Sequence, residues 1–301
     1  MTLGHSLLLF DAMLGLPQPL AYAFVAVFGA IIGSFLNVVI HRLPREESIV
    51  FPNSRCPSCA AAIHPLDNIP ILSYLILRGR CRACRAWISP RYPMVEALMA
   101  LLYALLFLRD GLTVALPFDL AFVTALVALV FIDAEHMILP DAITYPGMVF
   151  AILARLCIPY LIGRPYFDDL EQLLSGTLAG WPVWAASLCG GLIGALAGGG
   201  SLWLMGWTWE RLRGVEAMGL GDVKMMLMVG AFLGWRLTVL TIFLAVLSGS
   251  LTGVLLMLYR RERNMQMLLP FGIFLGIGSI IALLVGERIV NWYAGLFIIQ
   301  G

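Results

Sequence analysis

Eight apolar stretches, each close to the length that a helix needs to cross a bilayer, restrict this chain to one class of fold. A helix spans the hydrocarbon core with about 17–25 largely apolar residues. Of the 301 residues, 61% are hydrophobic and only 12% are charged, whereas about a quarter of a soluble domain is charged. The sequence predicts an all-α polytopic membrane protein with about eight transmembrane helices, near residues 20–40, 93–109, 118–134, 142–162, 180–208, 222–237, 238–258 and 270–287.

The basic residues predict the orientation of these helices. The sixth and seventh stretches are separated only at Gly234, Trp235 and Arg236, and counting them as two places both termini on one side. Lys and Arg are enriched in cytoplasmic loops. Fourteen of the 19 basic residues fall on the opposite side from the termini, so we expect periplasmic termini and these cytoplasmic residues: Arg42, Arg45, Arg55, Arg78, Arg80, Arg82, Arg85, Arg91, Arg211, Arg213, Lys224, Arg260, Arg261 and Arg263.

The N-terminal 18 residues make a poor signal peptide. No Lys or Arg precedes Arg42, and Asp11, Pro17 and Pro19 interrupt the apolar run. We expect this segment to stay on the mature protein as a periplasmic lead-in. The chain then divides into three parts: the lead-in with the first helix (1–41), a polar cytoplasmic insert (42–92) and a transmembrane domain (93–301).

Two C-x-x-C pairs, Cys56 with Cys59 and Cys81 with Cys84, mark the insert. Each pair places two sulfurs on one side of a tight turn, and two such turns complete a tetrahedral four-thiolate zinc site. Two disulfides would use the same residues, but a reducing cytoplasm argues against them. A closed four-sulfur site leaves no open position for substrate, so the predicted zinc is structural.

The remaining cysteines and histidines are not required by this site. Cys157 and Cys189 lie singly in apolar stretches, where a free cysteine usually acts as a small buried hydrophobe. His41 and His64 are interpreted as surface or interface residues, because four sulfurs already fill a zinc site. The arginines around the second cysteine pair either contact anionic lipid headgroups or only set the topology.

Three glycines in the fifth stretch repeat at intervals of four: Gly190, Gly194 and Gly198. This small-residue pattern lets membrane helices approach closely. A nucleotide-binding glycine loop is the alternative, but no strand precedes the segment and the apolar run continues through it. We therefore expect helix packing here.

Two aspartates, Asp133 and Asp222, stand at the ends of apolar stretches. Carboxylates at membrane depth cost about 2.5–3.5 kcal/mol each on insertion scales and are usually functional. The predicted orientation brings both to the cytoplasmic boundary, although a pair of helix-end residues in contact with headgroup water would satisfy the same pattern. Gly219 and Gly221 permit a tight turn before Asp222, and the helix dipole at that N-terminus favours its ionised form.

The other carboxylates near Asp133 are weaker candidates. Glu135 and His136 are expected in a solvated loop, and Asp141 follows Pro140 at the position of a helix N-cap. Lys224 would further favour the ionised form of Asp222 only if its side chain pointed toward that carboxylate.

An ionised and a protonated carboxyl with a water between them have the chemistry of an aspartic protease. A proton-coupled transporter with intramembrane carboxylates is the alternative, although no repeat of the kind common in transporters is evident. A non-catalytic membrane scaffold with a zinc module would leave the buried acids unexplained.

Several ordered motifs extend this interpretation. Gly219-x-Gly221-Asp222 resembles the signature of the GxGD membrane aspartyl proteases. The chain from about residue 20 to 285 is similar to the type IV prepilin peptidases, in segments 33–44 (GSFLNVVIHRLP), 55–59 (RCPSC), 67–70 (DNIP), 73–75 (SYL), 78–84 (RGRCRAC), 88–93 (ISPRYP) with Glu96, and 133–141 (DAEHMILPD).

This resemblance implies that Asp133 and Asp222 are the catalytic pair and that Cys56, Cys59, Cys81 and Cys84 bind the metal. It implies removal of a short basic leader from type IV prepilins and type II secretion pseudopilins at the cytoplasmic face of the inner membrane. In many members N-methylation by S-adenosylmethionine follows, an activity expected here from the resemblance alone. No nucleic-acid partner is expected.

One departure from the family pattern lies near the C-terminus. Ile273 stands where many members carry a second proline. We expect it to affect the local helix geometry and not the aspartates.

Overall fold

The computed structural model describes residues 17–163, 169, 175–214, 219–260 and 270–298. Within those ranges the chain is helical apart from turns and two isolated β-bridges, which confirms the predicted all-α fold. The predicted lead-in lies almost wholly outside the described residues. The α-helices are α1 (Gln18–Arg42), α2 (Leu72–Ile76), α3 (Arg91–Asp110), α4 (Leu116–His136), α5 (Asp141–Ile162), α6 (Val183–Ala195), α7 (Ser201–Arg213), α8 (Leu220–Leu233), α9 (Trp235–Arg260) and α10 (Phe271–Ile298).

Seven helical segments in the described part of the chain are long and apolar enough to cross a membrane. Six are α1, α3, α4, α5, α9 and α10, and the seventh joins α6 to α7 through a π-helical turn at Leu196–Gly200. The sixth predicted stretch differs, because α8 has only 14 residues and rises about 21 Å. The predicted break is correct: Gly234 ends α8, with φ of 81°, and α9 begins at the next residue.

The chain forms two compact units, divided between Thr124 and Ala125 inside α4. In the first unit, α1 and α3 pack as an antiparallel pair with their backbones in close approach. A Cβ on Gly29 would lie 2.6 Å from Met99 O, and one on Gly33 would lie 2.7 Å from Glu96 Cα. The α1–α3 pair is therefore held together by main-chain contacts that only glycine permits.

Buried polar groups join α1 to α3 and attach the insert to α3. Asn37 Nδ2 donates to Tyr92 O over 3.1 Å, and Glu96 Oε2 accepts from the backbone N–H of Ile71 over 2.7 Å. Glu96 is buried, and Ile71 has a φ of 62°, which is costly for a β-branched residue. The bond to Glu96 supports the chain in that conformation, immediately before α2.

In the second unit, the short helix α8 is the centre of the packing. Nine of its 14 residues are buried. A Cβ on Gly194 would overlap Gly230 O, and one on Gly198 would lie 2.5 Å from Met226 O. Two of the three repeated glycines therefore pack directly on the main chain of α8, while Gly190 is buried in α6. The predicted role of these glycines in helix packing is confirmed.

Candidate active site

Asp133 lies in the last turn of α4, with only 5% of its surface exposed. Its Oδ2 accepts a hydrogen bond from the backbone N–H of Ile273 over 3.0 Å. This donor belongs to the first turn of α10, where backbone N–H groups have no partner within the helix. A Cβ on Gly272 would lie 2.7 Å from Oδ2. Glycine therefore lets α10 approach the carboxylate closely.

Asp222 is the third residue of α8, after an extended Gly219 that caps the helix start. The carboxyl thus stands in the first turn of α8, as predicted, although Gly219 has an ordinary φ of −69° and makes no tight turn. Gly221, next to Asp222, and Gly272, which touches Asp133, both pack on Leu139. The structure therefore brings the two sequence-predicted aspartates together within the second unit.

Leu139 lies between the two helix starts that flank this pair. A Cβ on Gly221 would lie 3.1 Å from Leu139 Cβ, and one on Gly272 would lie 3.2 Å from Leu139 Cδ1. The α4–α5 connection therefore packs on the first turns of both α8 and α10. The C-terminal end of α4 and the N-terminal ends of α5, α8 and α10 gather here, and three N-termini create a field that stabilises negative charge.

The other two nearby carboxylates differ from their predicted settings. Glu135 belongs to the last turn of α4 and not to a loop, as does His136. Asp141 is the first residue of α5, whose N-cap is Pro140, and it makes no capping hydrogen bond. Its carboxylate instead binds Lys224 Nζ at 2.7 and 3.0 Å. The predicted capping role is wrong, because the chain enters the helix one residue earlier.

Lys224 points away from the aspartate pair. Besides binding Asp141, its Nζ lies 4.9 Å from the centre of the Tyr145 ring. The ion pair joins the first turns of α5 and α8, and it leaves no charge directed at Asp222. Lys224 therefore serves the helix packing around the site.

Ile273 was expected to affect the local helix geometry and not the aspartates, and the structure shows that its main chain also contacts one of them. Its backbone N–H is a direct donor to Asp133, and a proline at this position has no N–H to donate. The sequence marks this position, because Ile273 departs from the family pattern next to Gly272. Only the fold shows that the N–H of Ile273 donates to Asp133.

A second site gathers the four cysteines of the insert. Their Sγ atoms all lie within 4.8 Å of one another, and those of Cys56 and Cys84 are 3.8 Å apart. Tetrahedral zinc with bonds of about 2.3 Å separates its sulfurs by about 3.8 Å. This cluster could therefore hold a metal ion. Cys157 and Cys189 lie outside it and are half-buried.

The two cysteine pairs adopt the same backbone fold. In each, the first cysteine N–H donates to the carbonyl five residues later, in the bonds from Cys56 to Ala61 O and from Cys81 to Ala86 O. The residue four positions after the first cysteine has a positive φ and donates back to it: 56° at Ala60 and 60° at Arg85. Each loop is closed by one β-bridge, Arg55 to Ala62 or Arg80 to Trp87. The cluster is thus built from two equivalent turns.

Electrostatic contacts support the cluster. The Ser58 N–H lowers the pKa of the Cys56 thiol to about 6. Arg82, inside the second pair, donates to Asp67 through Nε and Nη2 at 2.7 and 2.6 Å, and this contact lowers the pKa of Asp67. His41 and His64 serve other contacts: His41 meets Arg45, and His64 Nδ1 accepts from Leu66 N.

Two family models match the chain. The Bacterial Peptidase A24 N-terminal domain matches residues 27–109, and the Type IV leader peptidase family matches residues 120–254. A prepilin leader peptidase/N-methyltransferase of Aeromonas hydrophila is 38% identical, with 97% of this chain and 99% of the relative covered. The chain belongs to the type IV leader peptidase family. The Pseudomonas aeruginosa relative of the same name is 36% identical over 92% of this chain and 94% of its own length.

Family membership confirms the resemblance seen in the motifs and favours an aspartic peptidase over a proton-coupled transporter. A Myxococcus xanthus prepilin leader peptidase/N-methyltransferase is 39% identical over 80% of this chain and 64% of its own length. No solved structure matches the chain significantly.

Proposed function

We propose that this membrane aspartic endopeptidase removes the short basic leader from type IV prepilins and type II secretion pseudopilins, with Asp133 and Asp222 as its catalytic pair. The observation that carries the proposal is the position of both at one cluster of helix ends, although they are far apart in the chain. Two neighbouring carboxyls that share a proton can act as base and acid on one water.

The surroundings of the two carboxyls suggest their roles. Asp133 accepts a hydrogen bond from the first turn of α10, which offsets part of the cost of burying its charge. We therefore assign the base to Asp133 and the acid to Asp222, the reverse of the role expected from the helix position of Asp222 alone. The negative charge of Asp133 favours a proton on Asp222, because like charges this close cannot both ionise easily.

The reaction follows from these roles. Asp133 takes a proton from water, the water oxygen attacks the scissile carbonyl carbon, and Asp222 gives its proton to the carbonyl oxygen. The tetrahedral intermediate then collapses, the C–N bond breaks, and the leaving amine takes the proton held by Asp133. Asp222 recovers a proton as the new carboxyl group forms.

The proposal includes the orientation predicted from the arginines. The aspartate pair and the insert face the cytoplasm at the inner membrane, and both termini are periplasmic. Eight crossings, with α8 as a short and largely buried one, agree with that arrangement. Contacts with membrane lipids are expected along the apolar outer faces of the helices, where side chains such as Phe24, Leu251 and Tyr259 are exposed.

A structural zinc ion completes the proposal for the insert. Cys56, Cys59, Cys81 and Cys84 would hold it, since their sulfur separations fit tetrahedral zinc. Zinc would link the two turns of a segment too small to form a core of its own. We propose that the chain consists of a lead-in with the first helix (1–41), the zinc-binding insert (42–92) and a peptidase domain (93–301).

N-methylation by S-adenosylmethionine is the second activity in the proposal, because the relatives are named for both activities. No residue is assigned to it. One assay tests both activities: incubation of purified enzyme with a prepilin and S-adenosylmethionine, followed by mass measurement of the new N-terminus. Loss of the leader mass tests cleavage, and a further gain of one methyl group tests methylation.

Substitution of the two aspartates tests the catalytic pair. Asp133→Asn and Asp222→Asn should each abolish leader cleavage while the variants keep the thermal stability of the parent. Cleavage at the parental rate by either folded variant would contradict the assignment.

A further inference from the structure

A buried ion pair lies at the far end of α8 from the aspartates. Arg155, in α5, is fully buried, and its Nη1 binds Asp169 Oδ1 at 3.1 Å, where Asp169 is itself 3% exposed. Arg155 stands within the predicted membrane-spanning stretch 142–162. An ionisable residue at such depth is costly and calls for a function.

The pair meets the end of α8 at a point where the helix needs hydrogen-bond donors. The last carbonyls of any helix have no partner within it, and α8 ends after about 21 Å of rise, short of the hydrocarbon thickness of about 30 Å. Arg155 Nε donates to Ala231 O at 3.2 Å and to Phe232 O at 3.1 Å. The guanidinium thus binds the final turn of α8.

Gly234 packs directly against the same ion pair. Its φ of 81° turns the chain from α8 into α9, and a Cβ there would overlap Asp169 Oδ2 and lie 2.5 Å from Arg155 Nη2. Gly191 of α6 makes a similar close approach, since its Cβ would lie 3.2 Å from Arg155 Cγ. The ion pair is therefore enclosed by the helix break and by the neighbouring helix.

The glycine contacts of α8 and its ion pair with α5 define its distance from neighbouring helices better than its position along its own axis. Gly194 and Gly198 have no side chains that could interlock with the backbone of α8. The Lys224–Asp141 ion pair is partly exposed, and ion pairs in such settings contribute little to stability. The bonds from Arg155 are directional and shielded from water. A helix is rigid over the nine residues from Asp222 to Ala231, about 14 Å, so a restraint at one end fixes the other.

We infer that Arg155, with Asp169 as its counter-ion, is a positioning residue that sets the axial position of α8 and thereby holds Asp222 against Asp133. This inference rests on the proposed function. It assigns Arg155 no contact with substrate. Its effect should therefore appear in the rate of the chemical step and not in substrate binding.

The test compares kcat and KM for prepilin cleavage in three variants. Arg155→Met leaves Asp169 without its counter-ion and should lower both stability and kcat. Arg155→Met with Asp169→Leu removes both charges, which should restore the thermal stability while kcat stays about 10- to 100-fold low with KM unchanged, the scale expected for a misplacement of about 1 Å. Arg236→Met is the matched control, because Arg236 stands two residues beyond the break, is partly exposed and bonds Asn291; it should leave both constants unchanged.

A folded double variant with the parental kcat would overturn the inference, since the pair would then serve folding alone. If the single variant fails to fold, the double variant decides by itself. Asp222→Asn, measured in parallel, separates the two levels of the proposal. An inactive Asp222→Asn beside a fully active double variant rejects only the role of Arg155, whereas an active Asp222→Asn rejects the catalytic pair.

Discussion

The backbone N–H of Ile273 donates to Asp133 Oδ2 over 3.0 Å and joins the first turn of α10 to the last turn of α4. A main-chain donor cannot be removed by an ordinary side-chain substitution, so it holds the carboxylate whatever side chain occupies position 273. Proline alone among the amino acids lacks this N–H. The contact therefore provides a specific test of how Asp133 is held.

Replacement of Ile273 by proline removes the N–H that donates to Asp133 and, although many family members carry proline at this position, should lower kcat for leader cleavage in this chain by about tenfold, because its carboxylate is placed to accept that bond. Hydrogen bonds to charged groups contribute about 1.5–3 kcal/mol, and 1.4 kcal/mol corresponds to a factor of ten in rate. Proline is tolerated in the first turn of a helix, where no intrahelical bond is lost. Ile273→Val keeps the N–H and should retain the parental rate. Equal rates for the two variants would show that this donor has no part in the reaction.

A methyl group at Gly272 should disrupt the same contact by steric overlap. Its Cβ would lie 2.7 Å from Asp133 Oδ2, so Gly272→Ala should displace the carboxylate and lower kcat by at least about tenfold. Gly295→Ala in the same helix is the control, because nothing lies within 4 Å of its Cβ position. Steady-state cleavage rates at matched protein stability decide the outcome, and full activity in Gly272→Ala would argue against a fixed Asp133.

The carboxylates near the pair should tolerate substitution. Asp141 binds Lys224 at a partly exposed position, and such ion pairs are worth about 0–1 kcal/mol. Asp141→Asn and Glu135→Gln should therefore keep leader cleavage within about fivefold of the parent. A loss as complete as that of Asp222→Asn would place either residue in the catalytic machinery instead.

The cysteine cluster should bind about one zinc ion per chain. Elemental analysis of the purified protein measures the content directly, and Cys59→Ser or Cys84→Ser should lower it sharply. Cys157→Ser and Cys189→Ser are matched controls that keep the cluster intact, and their zinc content should equal that of the parent. A metal-free parent protein would rule out the proposed zinc.

The Asp67–Arg82 contact should stabilise the insert at neutral pH and lose this stabilising effect in acid. Arg82 lowers the pKa of Asp67, so the contact stabilises the fold at a pH above the ordinary Asp value of about 3.9. That contribution is lost as pH falls through the lowered pKa. Limited proteolysis of the insert across this range should show the loss in the parent. Asp67→Asn should be cleaved faster at neutral pH and should lack this part of the pH dependence, which separates it from acid release of a metal.

The sequence alone determined which residues enter the membrane and which can bind metal. Hydrophobicity is a local property, so the all-α fold, seven of the eight apolar spans and the break at Gly234 could be predicted from the order of residues. The C-x-x-C spacing is equally local, because four residues define each turn. The cost of charge in an apolar run identified Asp133 and Asp222, and the same criterion applies to Arg155, which sequence reasoning did not single out.

Only the tertiary structure decided how these residues meet. The N–H of Ile273 and the guanidinium of Arg155 act on groups 140 and 76–77 positions away in the chain, and no local pattern encodes such pairings. The partner of the last turn of α8 was also a tertiary outcome, since its donors come from Arg155 of α5. Contacts between distant segments arise from packing, and the positions of both aspartates at one cluster of helix ends follow from it.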